Sequence, residues 1–220
     1  MGEPTSSPPT QGSRPAAFLP SRTPLHDVEF VVLDLETTGM SPGPASITEI
    51  GAVKYRCGER LGIFDTLVDP GVPLAPFVSA LTGITDAMVE TAPRVQAVLP
   101  SLEEFLRGSV VVCHNVGFDR SFLDAALSAD DRGEVAQPFV DTLPLSRRLL
   151  ADEVPNHQLA TIARYLRVPH QPCHRALADA LATADVLHVF IERLATYGVF
   201  DLDALLAFPA TPVPTMRATA

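Results

Sequence analysis

The segment VEFVVLDLETTG, Val28–Gly39, ends an otherwise apolar run with two carboxylates two residues apart. Side chains of a strand alternate faces, so Val28, Phe30, Val32, Asp34 and Glu36 share one side, and Val31, Leu33 and Leu35 the other. Apolar residues on both sides predict a central strand covered by helices, which Thr37-Thr38-Gly39 breaks into a loop. Asp34 and Glu36 then lie on one face at its C-terminal end. Like charges this close in a poorly solvated place repel, raise a pKa, and cost several kcal/mol unless a cation lies between them. Taken alone, the pair admits two readings: a divalent-metal site, or a strand end open to water.

The rest of the chain supplies a sheet and its cover. Ile47–Arg56 and Leu61–Val68, separated by the turn Cys57-Gly58-Glu59-Arg60, predict an antiparallel hairpin beside the first strand, hence a mixed sheet. A short helix is expected near Asp86–Glu90. Another over Pro93–Leu106 carries Val95, Val98, Leu99, Leu102 and Leu106 at helical spacing. Val110–Cys113 reads as a buried strand running into His114-Asn115, followed by a helix from Val116 to about Ala129. Val140 ends a short strand and Asp141-Thr142 caps a helix over Leu143–Leu150, so Asp141 reads as a cap rather than a catalyst. Further helices are expected over Asn156–Leu166 and from about His174 to Tyr197. Residues 1–25 and 209–220, rich in Pro, Thr and Ala or Ser, read as disordered. The expected organisation is an N-terminal tail over 1–25, a catalytic domain over 26–197 and a C-terminal tail over 198–220, with a short amphipathic helix at 201–208.

Two more acids stand out on helical wheels. Phe118, Phe122, Leu123 and Ala126 form the apolar side of their helix, and Asp119 falls in the middle of it, whereas Asp124 points away to solvent. A carboxylate centred on an apolar face is rare unless it is paired or binds metal. In the last major helix, Asp179 borders the stripe Ala176, Ala180, Thr183, Leu187, Phe190, Leu194, while Asp185 points away. His174 sits at the loop-to-helix junction before it, where it is either a structural group or a group able to approach a substrate.

Composition narrows the chemistry. A net charge of −10 argues against a broad basic surface that grips long nucleic acid, but not against a metal-mediated hold on one strand end. No apolar run is long enough to cross a membrane and no signal peptide begins the chain, so a cytoplasmic protein is expected. Cys57, Cys113 and Cys173 form no CxxC pair, and read as reduced and structural. Lys54 is the sole lysine, a bias that genome composition explains.

In order, Asp34-x-Glu36, then His114-Asn115-x-x-Phe118-Asp119, then His174-x-Ala176-x-x-Asp179, resemble the three motifs of the DEDDh group of 3′→5′ exonucleases. The likeness is greatest to the proofreading (epsilon) subunit of bacterial DNA polymerase III and its stand-alone relatives, and covers about Val28–Tyr197. It implies a ribonuclease H-like α/β fold, a mixed sheet of about five strands with helices on both faces. It also implies Asp34, Glu36, Asp119 and Asp179 as ligands of two Mg²⁺ or Mn²⁺ ions, with Asp34 bridging, and His174 as general base. Thr37, Thr38 and Asn115 would meet the terminal nucleotide, with Ile84 or Phe118 either touching a base or serving as core. The implied reaction is hydrolysis at the 3′ end of DNA, of proofreading or repair type, releasing nucleoside monophosphates. The implied partners are single-stranded DNA with a free 3′ end and a DNA polymerase or other replication or repair protein. RNA as substrate stays open, since the 2′-hydroxyl contacts are not legible. A non-catalytic nucleic-acid or polymerase-binding module is the rival of a different class, and release of mononucleotides sensitive to EDTA separates the two.

Overall fold

The computed structural model describes residues 22–43 and 45–210, so the expected tails over 1–21 and 211–220 lie outside the described residues. Five strands, β1 (Phe30–Thr37), β2 (Ile47–Arg56), β3 (Glu59–Leu67), β4 (Val110–Cys113) and β5 (Phe139–Asp141), form one sheet in the order β3-β2-β1-β4-β5. β2 runs antiparallel to both β1 and β3, while β4 and β5 follow β1 in parallel, so the sheet is mixed as expected. The hairpin turn is tighter than the four residues read from sequence. Cys57 and Gly58 alone connect β2 to β3, with φ of 51° and 77°. Positive φ at both positions matches the twist of a two-residue hairpin, and glycine takes the second without strain.

Among the described residues are eight α-helices, α1 (Pro76–Thr82), α2 (Asp86–Val89), α3 (Val95–Leu106), α4 (Val116–Ala129), α5 (Thr142–Leu149), α6 (Leu159–Leu166), α7 (Ala176–Ala195) and α8 (Leu202–Ala207), and two short 3-10 helices at Leu25–Asp27 and Phe208–Ala210. They cover both faces of the sheet. Phe30 and Val32 of β1 share one core with residues of α5, α6 and α7, among them Ala180, Ala184, Leu187 and Phe190. Val31, Leu33 and Leu35 pack on the other side with α3 and α4, including Leu99, Leu102, Phe122 and Leu123. Apolar residues on both faces of β1 thus reflect two separate cores, as its sequence requires.

Several boundaries differ from the sequence reading. α6 begins at Leu159 instead of Asn156, because the Asn156 carboxamide oxygen accepts from Gln158 N at 3.1 Å and shapes a turn there. Asp124 is not simply solvated: it accepts from Val135 N at 2.8 Å and pairs with Arg120 at 3.1 Å. Residues 22–25, expected within the tail, are tied to the other end of the domain, with Leu25 N donating to Phe200 O and Leu202 N to Thr23 O, both at 2.9 Å. α8 does form where an amphipathic helix was expected, yet Leu202, Leu205 and Phe208 are buried in the core shared with α7. Burying those three side chains holds the segment against the domain.

Gly51 sets how closely α7 approaches. It pairs with Asp34 across β1 and β2, and a Cβ there would lie 2.1 Å from Leu177 N and 2.2 Å from the Ala176 carbonyl carbon. Backbone atoms cannot yield as a flexible side chain does, so Gly51→Ala must push the first turn of α7 off the sheet. We expect a loss of about 1–3 kcal/mol, the usual cost of overpacking, measured by urea unfolding. Stability within 0.5 kcal/mol of the parent, the range of a neutral surface change, would contradict the close packing.

Candidate active site

The C-terminal end of β1 is open on one side. β4 pairs with β1 only at Phe30–Val32, so the backbone beyond has no strand partner there. Asp119 fills the gap, and its Oδ1 accepts from Leu35 N at 3.1 Å. The carboxylate is buried, as its place on the apolar side of α4 requires. Asp141 orients that helix: it accepts from Asn115 N at 2.9 Å, Val116 N at 3.1 Å and Leu143 N at 2.9 Å, joining the starts of α4 and α5. The expected cap of α5 therefore also caps α4, with Asn115 in the left-handed region at φ 76°.

α7 brings the fourth acid to the same strand end. Asp179 is buried in its first turn, where Oδ1 accepts from Cys173 N at 2.8 Å. Glu49, which faces Glu36 across the β1–β2 ladder, is buried and grips the residue before α7. Arg175 Nη2 donates to Glu49 Oε1 at 2.6 Å, Arg175 Nε to Oε2 at 3.1 Å, and Ala176 N to Oε2 at 2.8 Å. Between these anchors His174 is exposed, with φ of 59°. Its ring and the carboxylates of Glu36 and Asp179 offer ligand atoms that all lie within 4.8 Å of one another. The Glu49–Arg175 pair escaped the sequence reading, although an acid between Ile47 and Ile50 of an apolar strand carried the same signal as Asp34.

The charges of this cluster are uncompensated. Burial, then the charges of Asp119, Asp179 and Glu36, pushes Asp34 well above the usual carboxylate range. Burial and the charges of Asp179 and Glu49 raise Glu36 to about 7 against the pull of Arg175. Burial raises Asp119 to about 8 despite two backbone hydrogen bonds, with Asp141 and Glu36 adding to the rise. Asp179 is raised as well, again by burial, with Cys173 N and His174 opposing it. The Arg175 guanidinium is occupied by Glu49. Hard oxygen donors held together at this electrostatic cost fit divalent cations, whose binding displaces the retained protons.

This has a measurable consequence for stability. A carboxyl whose folded pKa is above its unfolded value keeps its proton longer in the folded state, so its contribution falls as pH rises between the two values. For Glu36 that window runs from about 4.5 to about 7. In chelator, Glu36→Gln should therefore gain thermal midpoint relative to the parent as pH goes from the bottom of that window to the top. A difference that is flat or shrinks across it would show that Glu36 is not held protonated.

The remaining expected contacts divide. Thr37 and Thr38 shape the loop after β1, Thr37 Oγ1 donating to Gly39 O at 2.6 Å and Thr38 Oγ1 accepting from Ser46 N at 2.9 Å. Phe118 is half-buried beside the Phe122 ring, and Asn115 is exposed. Of the two roles expected for Ile84, base contact or core, its burial with Leu74 and Val89 in a small cluster fits the second. Two cysteines also differ from the structural role expected, since Cys57 and Cys173 are exposed and only Cys113 is buried.

Carboxylates clustered beside a histidine at the end of the central strand of a mixed five-stranded sheet suit phosphodiester hydrolysis with divalent metals. The RNase T exonuclease model matches residues 31–187, and the chain belongs to that exonuclease family. A candidate bifunctional exonuclease/endonuclease of Mycobacterium tuberculosis is 47% identical over 88% of this chain, which spans 31% of that relative. The DNA polymerase III PolC-type of Caldanaerobacter subterraneus is 42% identical over 78% of the chain, which spans 12% of it. The chain thus corresponds to a minor part of these longer proteins. Among solved structures, exonuclease X in complex with 5′-overhanging duplex DNA has a TM-score of 0.64 at 26% identity, covering 83% of this chain and 99% of that one. Exonuclease I shares the fold, with a TM-score of 0.68 at 18% identity over 78% of this chain and 43% of its own. No described helix is long and apolar enough to cross a membrane.

Proposed function

We propose that this chain is a 3′→5′ exonuclease that removes nucleoside monophosphates from the 3′ end of DNA. The observation that carries the reading is the convergence of Asp34, Glu36, Asp119 and Asp179 at one strand end with the His174 ring beside Glu36 and Asp179. The four carboxylates would hold Mg²⁺ or Mn²⁺. Such ions, when bound, polarise the scissile phosphate and stabilise the leaving oxygen. His174 accepts a proton from the attacking water as its oxygen bonds to phosphorus, and the bond to the 3′-oxygen of the preceding nucleotide breaks. The exposed setting of His174 lets the proton pass on to solvent. Asn115 and the loop of Thr37 and Thr38 flank the site and would meet the terminal nucleotide.

The PolC-type relatives favour a polymerase or a repair assembly as the setting, and the duplex in the exonuclease X complex favours DNA over RNA. The test is degradation of single-stranded DNA, duplex DNA with a mismatched end, and short RNA, each labelled at either end, in Mg²⁺ and in Mn²⁺. Mononucleotides released from the 3′ end, faster from DNA, and lost with EDTA are expected. Release from the 5′ end, or no hydrolysis with either metal, would overturn the assignment.

A further inference from the structure

Glu49 is a buried acid that the proposed reaction leaves unused. It is only 2% exposed in β2, opposite Glu36 in the β1–β2 ladder and two residues from Gly51 on the same face. A carboxylate in that setting is costly unless it is paired and hydrogen-bonded. Glu49 is answered entirely from the start of α7. The Arg175 fork reaches both carboxylate oxygens, and Ala176 N donates to Oε2. Asp65, opposite Gly51 on β3, adds a second negative charge near the same guanidinium. Gly51 lets the first turn of α7 rest on the sheet, and Glu49 ties it there.

What this tie fixes is His174. A catalytic base is usually oriented by a third group bonded to its far side. The His174 ring makes no hydrogen bond among the described residues, so its orientation comes from the backbone. That backbone has φ of 59°, a conformation that strains a residue with a Cβ and persists only where the surroundings over-determine it. Here they do so on either side. Cys173 N is held by Asp179 Oδ1 at 2.8 Å, and Arg175 by Glu49 Oε1 at 2.6 Å. The first anchor belongs to the carboxylate cluster, whereas the second stands on β2 outside it.

Resting on the exonuclease reading, we propose that Glu49 and Arg175 are positioning residues for the reaction. Their ion pair holds the His174 backbone in the left-handed region, which keeps the ring beside Glu36 and Asp179. Neither residue touches the reacting atoms. A lysine would meet Glu49 at one point, whereas the planar fork of a guanidinium sets direction as well as distance, so the clamp depends on arginine.

Arg175→Met should lower kcat by about 10- to 100-fold, the cost of misplacing a reacting group by roughly 1 Å, with KM for an oligothymidylate unmoved. Arg175→Lys should recover part of the loss. In a His174→Ala background Arg175→Met should cost nothing further, because the clamp acts through that ring. Arg175→Met also strands Glu49 as a buried charge, so Glu49→Gln combined with Arg175→Met is measured beside it. The thermal midpoint of that double variant should return toward the parent's while kcat stays low. One readout needs no turnover. His174→Gly should melt above His174→Ala, since glycine takes a positive φ without strain, and the advantage should vanish in the Arg175→Met background, where the junction is free to relax. A raised KM with kcat unmoved would overturn the clamp and assign the guanidinium to the substrate strand. So would a full loss repeated on top of His174→Ala, or a kcat that recovers together with the midpoint in the double variant. If the parent protein hydrolyses nothing, the exonuclease reading has failed, and the midpoint comparison alone decides the clamp.

Discussion

Asp34→Asn should lower kcat by roughly 10³-fold, the several kcal/mol that divalent ions contribute at a scissile phosphate, while making the metal-free protein more stable. Both effects come from one cause. Asp34 sits where burial and the charges of Asp119, Asp179 and Glu36 all penalise its ionised form. A neutral carboxamide of the same shape removes that penalty and with it a ligand. Thermal unfolding in EDTA should show the variant melting above the parent. Added Mn²⁺ should reverse the order, because saturating ligand stabilises only a protein that binds it, by about 2.7 kcal/mol at a hundredfold excess over Kd. A variant that turns over within a few-fold of the parent, or that melts lower in EDTA, would remove Asp34 from the site.

His174→Ala should cost roughly 10²–10⁴-fold in kcat, the usual contribution of a positioned base. Its effect on metal binding distinguishes two roles. The ring lies close enough to Glu36 and Asp179 to be a ligand as well as a base. As a base, its loss leaves the metal-dependent rise in thermal midpoint intact; as a ligand, its loss lowers that rise. We expect the first outcome. The backbone adds a second handle, because φ of 59° is unfavourable for any residue with a Cβ. His174→Gly should accordingly be more stable than His174→Ala by about 1 kcal/mol while remaining as inactive. Equal stabilities would mean that the junction relaxes to an unstrained backbone. In the parent it is held from both sides, by Cys173 N on Asp179 and by Arg175 on Glu49. The strain thus sits next to the reacting groups.

Most of the architecture was legible because its signals are local. The two-faced apolar run of β1 became the centre of the sheet, and alternation placed Asp34 and Glu36 on one face. Helical periodicity singled out Asp119 and Asp179 from Asp124 and Asp185, and the first two are buried at the strand end. Asp141 was legible as a cap from its position ahead of Thr142, but its second task, holding the first turn of α4, depends on a β4–β5 pairing that no local pattern announces.

By itself the sequence determined which side chains share a face, because periods of two and of 3.6 residues follow from backbone geometry alone. Only the tertiary structure decided which faces meet. Glu49 was an unpaired acid in an apolar strand until α7 crossed it and supplied Arg175. Gly51 was an unremarked small residue until the backbone of Ala176 and Leu177 came to rest on it, at the position opposite Asp34. Ile84 could be read as base contact or as core until Leu74 and Val89 enclosed it. Each of these turns on contacts between residues far apart in the chain, and packing distances of that kind are set by the whole core together, so no window of sequence contains them.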